Sequence, residues 1–85
     1  MTREEIKSKV SEIIIKCMDL KIEASEIQGE NLILELGINS LDALEIFVWI
    51  ENTFEIQIDD EDLNSQLIES LDSIVNYIFK KKRLA

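Results

Sequence analysis

The sequence predicts an all-α fold: a small four-helix bundle with three longer helices, one short third helix, and a long loop between helices one and two. Two observations predict it. Apolar residues recur at three- and four-residue spacings in separate stretches, and the only glycines, Gly29 and Gly37, fall between the first two of these. A chain of 85 residues can bury one modest core and has no material for a second. One domain over residues 1–85, acting as a monomer, is therefore expected.

The first helix is expected over about residues 3–19. Ile6, Val10, Ile13, Ile14, Cys17 and Met18 share one face, and Thr2 and Glu5 stand where a capping box forms. From Lys21 to Ile38 the apolar residues become single, at Ile22, Ile27, Leu32, Leu34, Leu36 and Ile38. This reads as a long loop with pinned side chains; a strand over 31–36 would have no second strand to pair with. Loops of that length in small domains are usually functional.

The second helix, over about 40–53, is apolar on two faces. At about 100° per residue, Ala43, Ile46, Phe47, Ile50 and Phe54 form a core stripe, while Leu41, Leu44 and Val48 fall on nearly the opposite side among Glu45, Glu51 and Asn52. A domain this small cannot cover both faces, so the second stripe is expected to be partly exposed; cover from the preceding loop is the alternative. Ile56 and Ile58 then alternate with polar residues as an extended connector. Asp59 offers an N-cap for a short third helix over about 60–67, anchored only by Leu63 and Leu67. The last helix, about 71–82, buries Ile74, Val75, Ile78 and Phe79 with Tyr77 on a flank, and Lys80 to Arg83 place positive charge at its C-terminus.

Charge is unevenly distributed. Of 18 acids and 9 bases, the stretch from Ile22 to Phe79 holds 14 acids and no base. Nucleic acid is disfavoured as a partner, because phosphate binding needs clustered cations. A basic patch on another protein is favoured, since complementary potentials speed encounter; solubility alone is the plainer reading. No stretch approaches the roughly 18 apolar residues of a membrane span, and the start Thr2-Arg3-Glu4-Glu5 is wrong for a signal peptide. A cytoplasmic protein is expected.

Catalytic constellations do not assemble. The chain has no histidine, and its one cysteine, Cys17, lies on a presumed core face, which excludes Ser/His and Cys/His chemistry and imidazole metal sites. A calcium loop starting at Asp60 would accept Asp62 and Asn64, but Ser65 stands at the glycine position and Leu71 at the bidentate glutamate. No metal site is assigned; Asp59, Asp60 and Asp62 offer loose divalent attraction through their field.

What remains is Leu36-Gly37-Ile38-Asn39-Ser40-Leu41-Asp42. Asn39 is a good N-cap, with Asp42 placed to complete a capping box, so Ser40 keeps its hydroxyl on the first helical turn. The positive end of the helix suits a phosphate ester there.

With the following apolar helix and the acidic run at Asp59 to Asp62, this segment resembles the attachment motif of acyl carrier proteins, a phosphopantetheine-binding carrier family. The resemblance spans about Ile33 to Leu63 and, more loosely, the whole chain; Asn39 stands where the family usually has aspartate. It implies that a phosphopantetheinyl transferase attaches a 4'-phosphopantetheine arm from coenzyme A to Ser40, and that the arm carries acyl groups as thioesters for fatty-acid, polyketide or acyltransferase enzymes. It further implies a partner-binding face of Asn39, Leu41, Asp42, Leu44, Glu45, Val48, Glu51 and Asp60, met by basic docking patches, and no catalysis by the carrier itself. A crevice between the helices at 40–53 and 60–67 would shelter the chain, with Phe47, Ile50, Ile58 and Leu63 as candidate lining or as ordinary core. An aminoacyl, D-alanyl or peptidyl carrier of the same fold is the alternative, although peptidyl carriers usually show Gly-Gly where Gly37-Ile38 stands. A non-carrier acidic helical interaction module is a further one. Trp49 lies beside the proposed docking stripe, or packs against the loop.

Overall fold

The computed structural model describes residues 2–84. Four α-helices appear: α1 (Arg3–Met18), α2 (Leu32–Leu36), α3 (Ser40–Phe54) and α4 (Leu71–Leu84), with 3-10 turns at Ala24–Glu26 and Asp60–Asp62 and no strand among the described residues. The all-α class and the four-helix count agree with the sequence. The position of the short helix does not.

α1 starts on the expected capping box, the Thr2 hydroxyl accepting from the Glu5 N–H and the Glu5 carboxylate from the Thr2 N–H. It packs against both α4 and α3. One apolar cluster runs through the molecule from Ile6 to Ile78, with Ile14, Ile46, Ile50, Phe54 and Ile74 almost fully buried. Burial of this kind yields about 1.5–3 kcal/mol for each large side chain.

Within the expected loop, Leu32–Leu36 closes a single helical turn. The Asn31 side chain accepts from the Leu34 N–H at 3.2 Å, and Gly37 ends the turn at φ +68°, a left-handed conformation that favours glycine. One turn is too short for periodicity to reveal. The Glu35 carboxylate accepts from the N–H groups of Gln28 and Gly29, both at 2.9 Å, and so staples the loop to α2. The loop is also tied across the molecule: Leu32 N–H donates to the Glu69 carbonyl at 2.8 Å and Leu71 N–H to the Gly29 carbonyl at 2.9 Å. Gly29 allows this approach, because a Cβ there would sit 2.6 Å from Leu71 Cβ.

The helix expected over 60–67 is corrected to a 3-10 turn at Asp60–Asp62 followed by non-helical turns. Asn64 is the reason. Its side chain accepts from the N–H groups of Gln66 and Leu67 and donates to the Glu61 carbonyl, so it competes locally with helical pairing. Ile68, rather than Leu63, is the buried anchor of this segment. α4 begins on Ser70, whose hydroxyl accepts from the Ser73 N–H at 3.1 Å.

The basic end of α4 serves the fold. Lys82 Nζ donates to the Phe54 carbonyl at 3.0 Å, capping α3, and Lys81 Nζ bonds Asp59 at 2.9 Å. Arg3 stacks over Phe79 at 5.0 Å and bonds Asn76, joining the start of α1 to α4. No helix among the described residues is long and apolar enough to cross a membrane.

Candidate functional site

Ser40 is the first residue of α3 and is exposed. The capping box before it is complete: the Asn39 side chain accepts from the Asp42 N–H at 2.8 Å, and the Asp42 carboxylate accepts from the Asn39 N–H at 3.2 Å. These two residues satisfy each other, and the Ser40 hydroxyl takes no part. First-turn N–H groups of a helix lack intrahelical acceptors, so the serine oxygen stands beside donors suited to a phosphate. Asn39→Ala should lower stability by about 1 kcal/mol through loss of the cap, read as a shift in the urea midpoint. Asn39→Asp keeps the acceptor and should leave that midpoint nearly unchanged.

Beside Ser40 opens a cleft of about 230 Å³. Its walls are α3, at Ala43, Leu44 and Phe47; α2 and the loop after it, at Ile33 and Ile38; and the segment after the 3-10 turn, at Leu63 to Ser65 and Ile68. Of the four residues nominated for an acyl crevice, the structure brings Phe47 and Leu63 to this cleft. Ile50 and Ile58 are instead buried in the core and do not line it. The sequence reading missed Ile33, Ile38, Ala43 and Ile68. Ala43 carried a signal as the residue one turn before Phe47 on the same stripe, and Ile33 and Ile38 as apolar residues in a stretch with no helical stripe of its own.

On the outer side of α3, Leu41 is 77% exposed, Leu44 54% and Val48 47%, with Glu45 and Asn52 exposed among them. The loop does not cover this stripe. Apolar side chains grouped in this way and flanked by acids are typical of a protein contact surface. Asp60 is exposed in the 3-10 turn, whereas Glu51 is half-buried and its carboxylate accepts from the Ile58 N–H at 2.9 Å. Glu51 thus holds the connector after α3 and is less exposed than Glu45. Leu34 on α2 is 81% exposed and had not been expected to be.

Trp49 is about half exposed and faces α1 across a groove lined by Lys9, Ile13, Lys16 and Cys17, so it does not pack on the loop. Cys17 is partly buried rather than enclosed, and burial pushes its thiol pKa up, with Glu45 and Asp42 adding in the same direction. A thiol held protonated is a poor nucleophile. In the acidic run, the carboxylates that converge within 4.8 Å are Asp59, Glu61 and Asp62, so Glu61 takes the place expected for Asp60. Lys81 and the Tyr77 hydroxyl already engage Asp59 and Asp62.

An exposed serine with an uncommitted hydroxyl, an apolar strip on one side and an apolar cleft on the other make a site built for presentation. The class this defines is a small helical carrier domain. Comparison with known proteins agrees: the model of the family described as "Phosphopantetheine attachment site" matches residues 9–78. The acyl carrier protein of Chlorobium phaeovibrioides is 38% identical over 82 residues, covering 95% of this chain and all of that protein. That of Thermotoga maritima is 40% identical over 81 residues, covering 94% and 95%. Among solved structures, the acyl carrier protein of Enterococcus faecalis superposes with a TM-score of 0.73 at 33% identity, covering 95% of this chain and 99% of that one. A putative acyl carrier protein from Anaplasma phagocytophilum gives 0.74 at 32% identity, covering 100% and 94%. The chain belongs to the acyl carrier protein family, whose prosthetic group is a covalently attached phosphopantetheine.

Proposed function

We propose that Ser40 is the residue that bears the phosphopantetheine, and that this chain carries acyl intermediates of fatty-acid synthesis or a related acyl pathway. The observation that carries the reading is the uncommitted Ser40 hydroxyl at the junction of strip and cleft. When attached, the group supplies a terminal thiol that holds the acyl chain as a thioester. The protein's own residues position that group and present it. Asn39 and Asp42 fix the start of α3 and keep the Ser40 oxygen free of capping duty. With no base beside it, that oxygen is deprotonated by a visiting phosphopantetheinyl transferase.

Leu41, Leu44 and Val48 form the apolar centre of the landing surface, and Asn39, Asp42, Glu45 and Asp60 surround it with polar and negative groups. Glu51, part-buried and bonded to Ile58, lies at the edge of this surface and contributes less than Glu45. Acyl-processing enzymes with basic docking patches are steered there and leave again, because charge speeds arrival more than it prolongs residence. Phe47 and Leu63, with Ile33, Ile38, Ala43 and Ile68, offer the apolar lining for the part of the cargo nearest Ser40.

Docking is tested with Leu44→Arg and Glu45→Lys. Each should slow arm attachment by about tenfold or more through loss of a central contact or reversal of a steering charge. Neither should alter the melting temperature much, since both side chains are exposed. Wild-type rates at both positions would remove this face from the docking surface.

A further inference from the structure

The cleft beside Ser40 has one wall unlike the others. α3 and the stapled loop are fixed by helix pairing and by Glu35, whereas the wall at Leu63 to Ile68 has no helix of its own. The hydrogen bonds of Leu63 to Leu67 run within the segment and to the turn just before it. The segment is a strap tied at its two ends. At the far end, the Glu69 carbonyl receives Leu32 N–H, and Ile68 and Leu71 are buried. At the near end the tie is a side chain of α4. The Tyr77 hydroxyl accepts from the Asp59 N–H at 3.2 Å and donates to Asp62 Oδ2 at 2.9 Å, with Lys81 Nζ on Asp59 beside it.

The cleft is also small. At about 230 Å³ it lies below the range of about 300–1,000 Å³ typical of small-molecule sites. A short acyl group fits in that volume, but a long chain is enclosed only if a wall gives way, and the strap is the wall least fixed by backbone pairing. Phe47, Ile38 and Ile68 cannot retreat without disturbing the core, so the part of the strap free to give way is the exposed stretch from Leu63 to Gln66.

We infer that the Tyr77 hydroxyl is a positioning group for the cargo cleft: by fixing Asp59 and Asp62 it sets how far the strap lies from α3, and so the length of chain the cleft admits. This rests on the reading that the cleft receives the cargo. Tyr77 touches neither Ser40 nor the cleft and acts only through the segment it holds. A single oxygen makes both bonds, so Tyr77→Phe removes them together and keeps the ring that packs against the core.

The test uses the full chain, first without cargo. Amide exchange over residues 60–68 should be faster by about tenfold or more in Tyr77→Phe, as expected when a part-buried hydrogen bond to a carboxylate and a second bond to the backbone are lost together, with α1 and α3 unchanged. Lys81→Met, which leaves the hydroxyl in place and removes a partly exposed ion pair, should have a smaller effect. Both proteins are then loaded with saturated acyl chains of increasing length, and the added protection at Phe47 and residues 63–68 is followed. Protection should stop growing at a longer chain in Tyr77→Phe than in wild type, a shift that a uniform loss of stability would not produce. Equal exchange over 60–68 without cargo would overturn the role of the hydroxyl. If exchange without cargo rises but loading changes nothing near the cleft in either protein, the cleft reading fails, and the assignment of Tyr77 to cargo length fails with it. An effect of Lys81→Met equal to that of Tyr77→Phe would also overturn it.

Discussion

Ser40→Ala is expected to abolish attachment of phosphopantetheine while leaving the bundle folded. The serine is exposed, its hydroxyl makes no hydrogen bond among the described residues, and the cap of α3 belongs to Asn39 and Asp42. Alanine has high helix propensity, so the melting temperature should stay within a few degrees of wild type. The loss of modification should nevertheless be complete, because the phosphoester needs that oxygen and Ser65, which also lines the cleft, is on a turn without a helix start before it. Intact mass after incubation with coenzyme A and a transferase reads the result directly. A modified Ser40→Ala protein would move the attachment site elsewhere.

The largest expected effect on stability is at the other end of the same helix. Phe54 is among the most fully buried side chains and sits where the last turn of α3 receives Lys82 on its carbonyl. Phe54→Ala should cost about 3–5 kcal/mol through lost burial and the cavity left behind. At about 0.05–0.15 kcal/mol of stability per residue, a chain of 85 residues has a margin of about 4–13 kcal/mol, and at the low end of that range most or all of it goes. The 14 acids between Ile22 and Phe79 repel one another with few bases nearby, which makes the margin sensitive to salt. Circular dichroism should show Phe54→Ala largely unfolded at low ionic strength and partly recovered by added salt. A cooperative melt close to that of wild type would mean that Phe54 is not a keystone of the core.

Much of this was legible because its causes are local. Thr2 with Glu5 and Asn39 with Asp42 are three residues apart, and a capping box needs nothing else. The two apolar faces of α3 follow from helical period alone, and the exposure of Leu41, Leu44 and Val48 follows from there being too few residues to cover them. What could not be read depends on partners distant in the chain. Ile50 and Ile58 lie in the core, away from the cleft, because of how α3 and its connector sit within the cluster. Glu51 reaches Ile58 seven residues away, and Tyr77 reaches Asp59 and Asp62 from another helix. The absent helix at 60–67 lies between these cases: Asn64 is a known competitor with helical pairing, yet only the folded segment shows that it wins. The single turn at Leu32–Leu36 had its signals, Asn31 before it and Gly37 after, but five residues carry too little period to separate it from a loop.

Purifying the wild-type chain from the cells that make it, and mapping its modification by intact and peptide mass, tests the central claim most directly. The account predicts one phosphopantetheine per chain, with or without an acyl group, on the peptide containing Ser40. A chain that stays unmodified, there and with several transferases in vitro, or one that carries the group on any other residue, would contradict it.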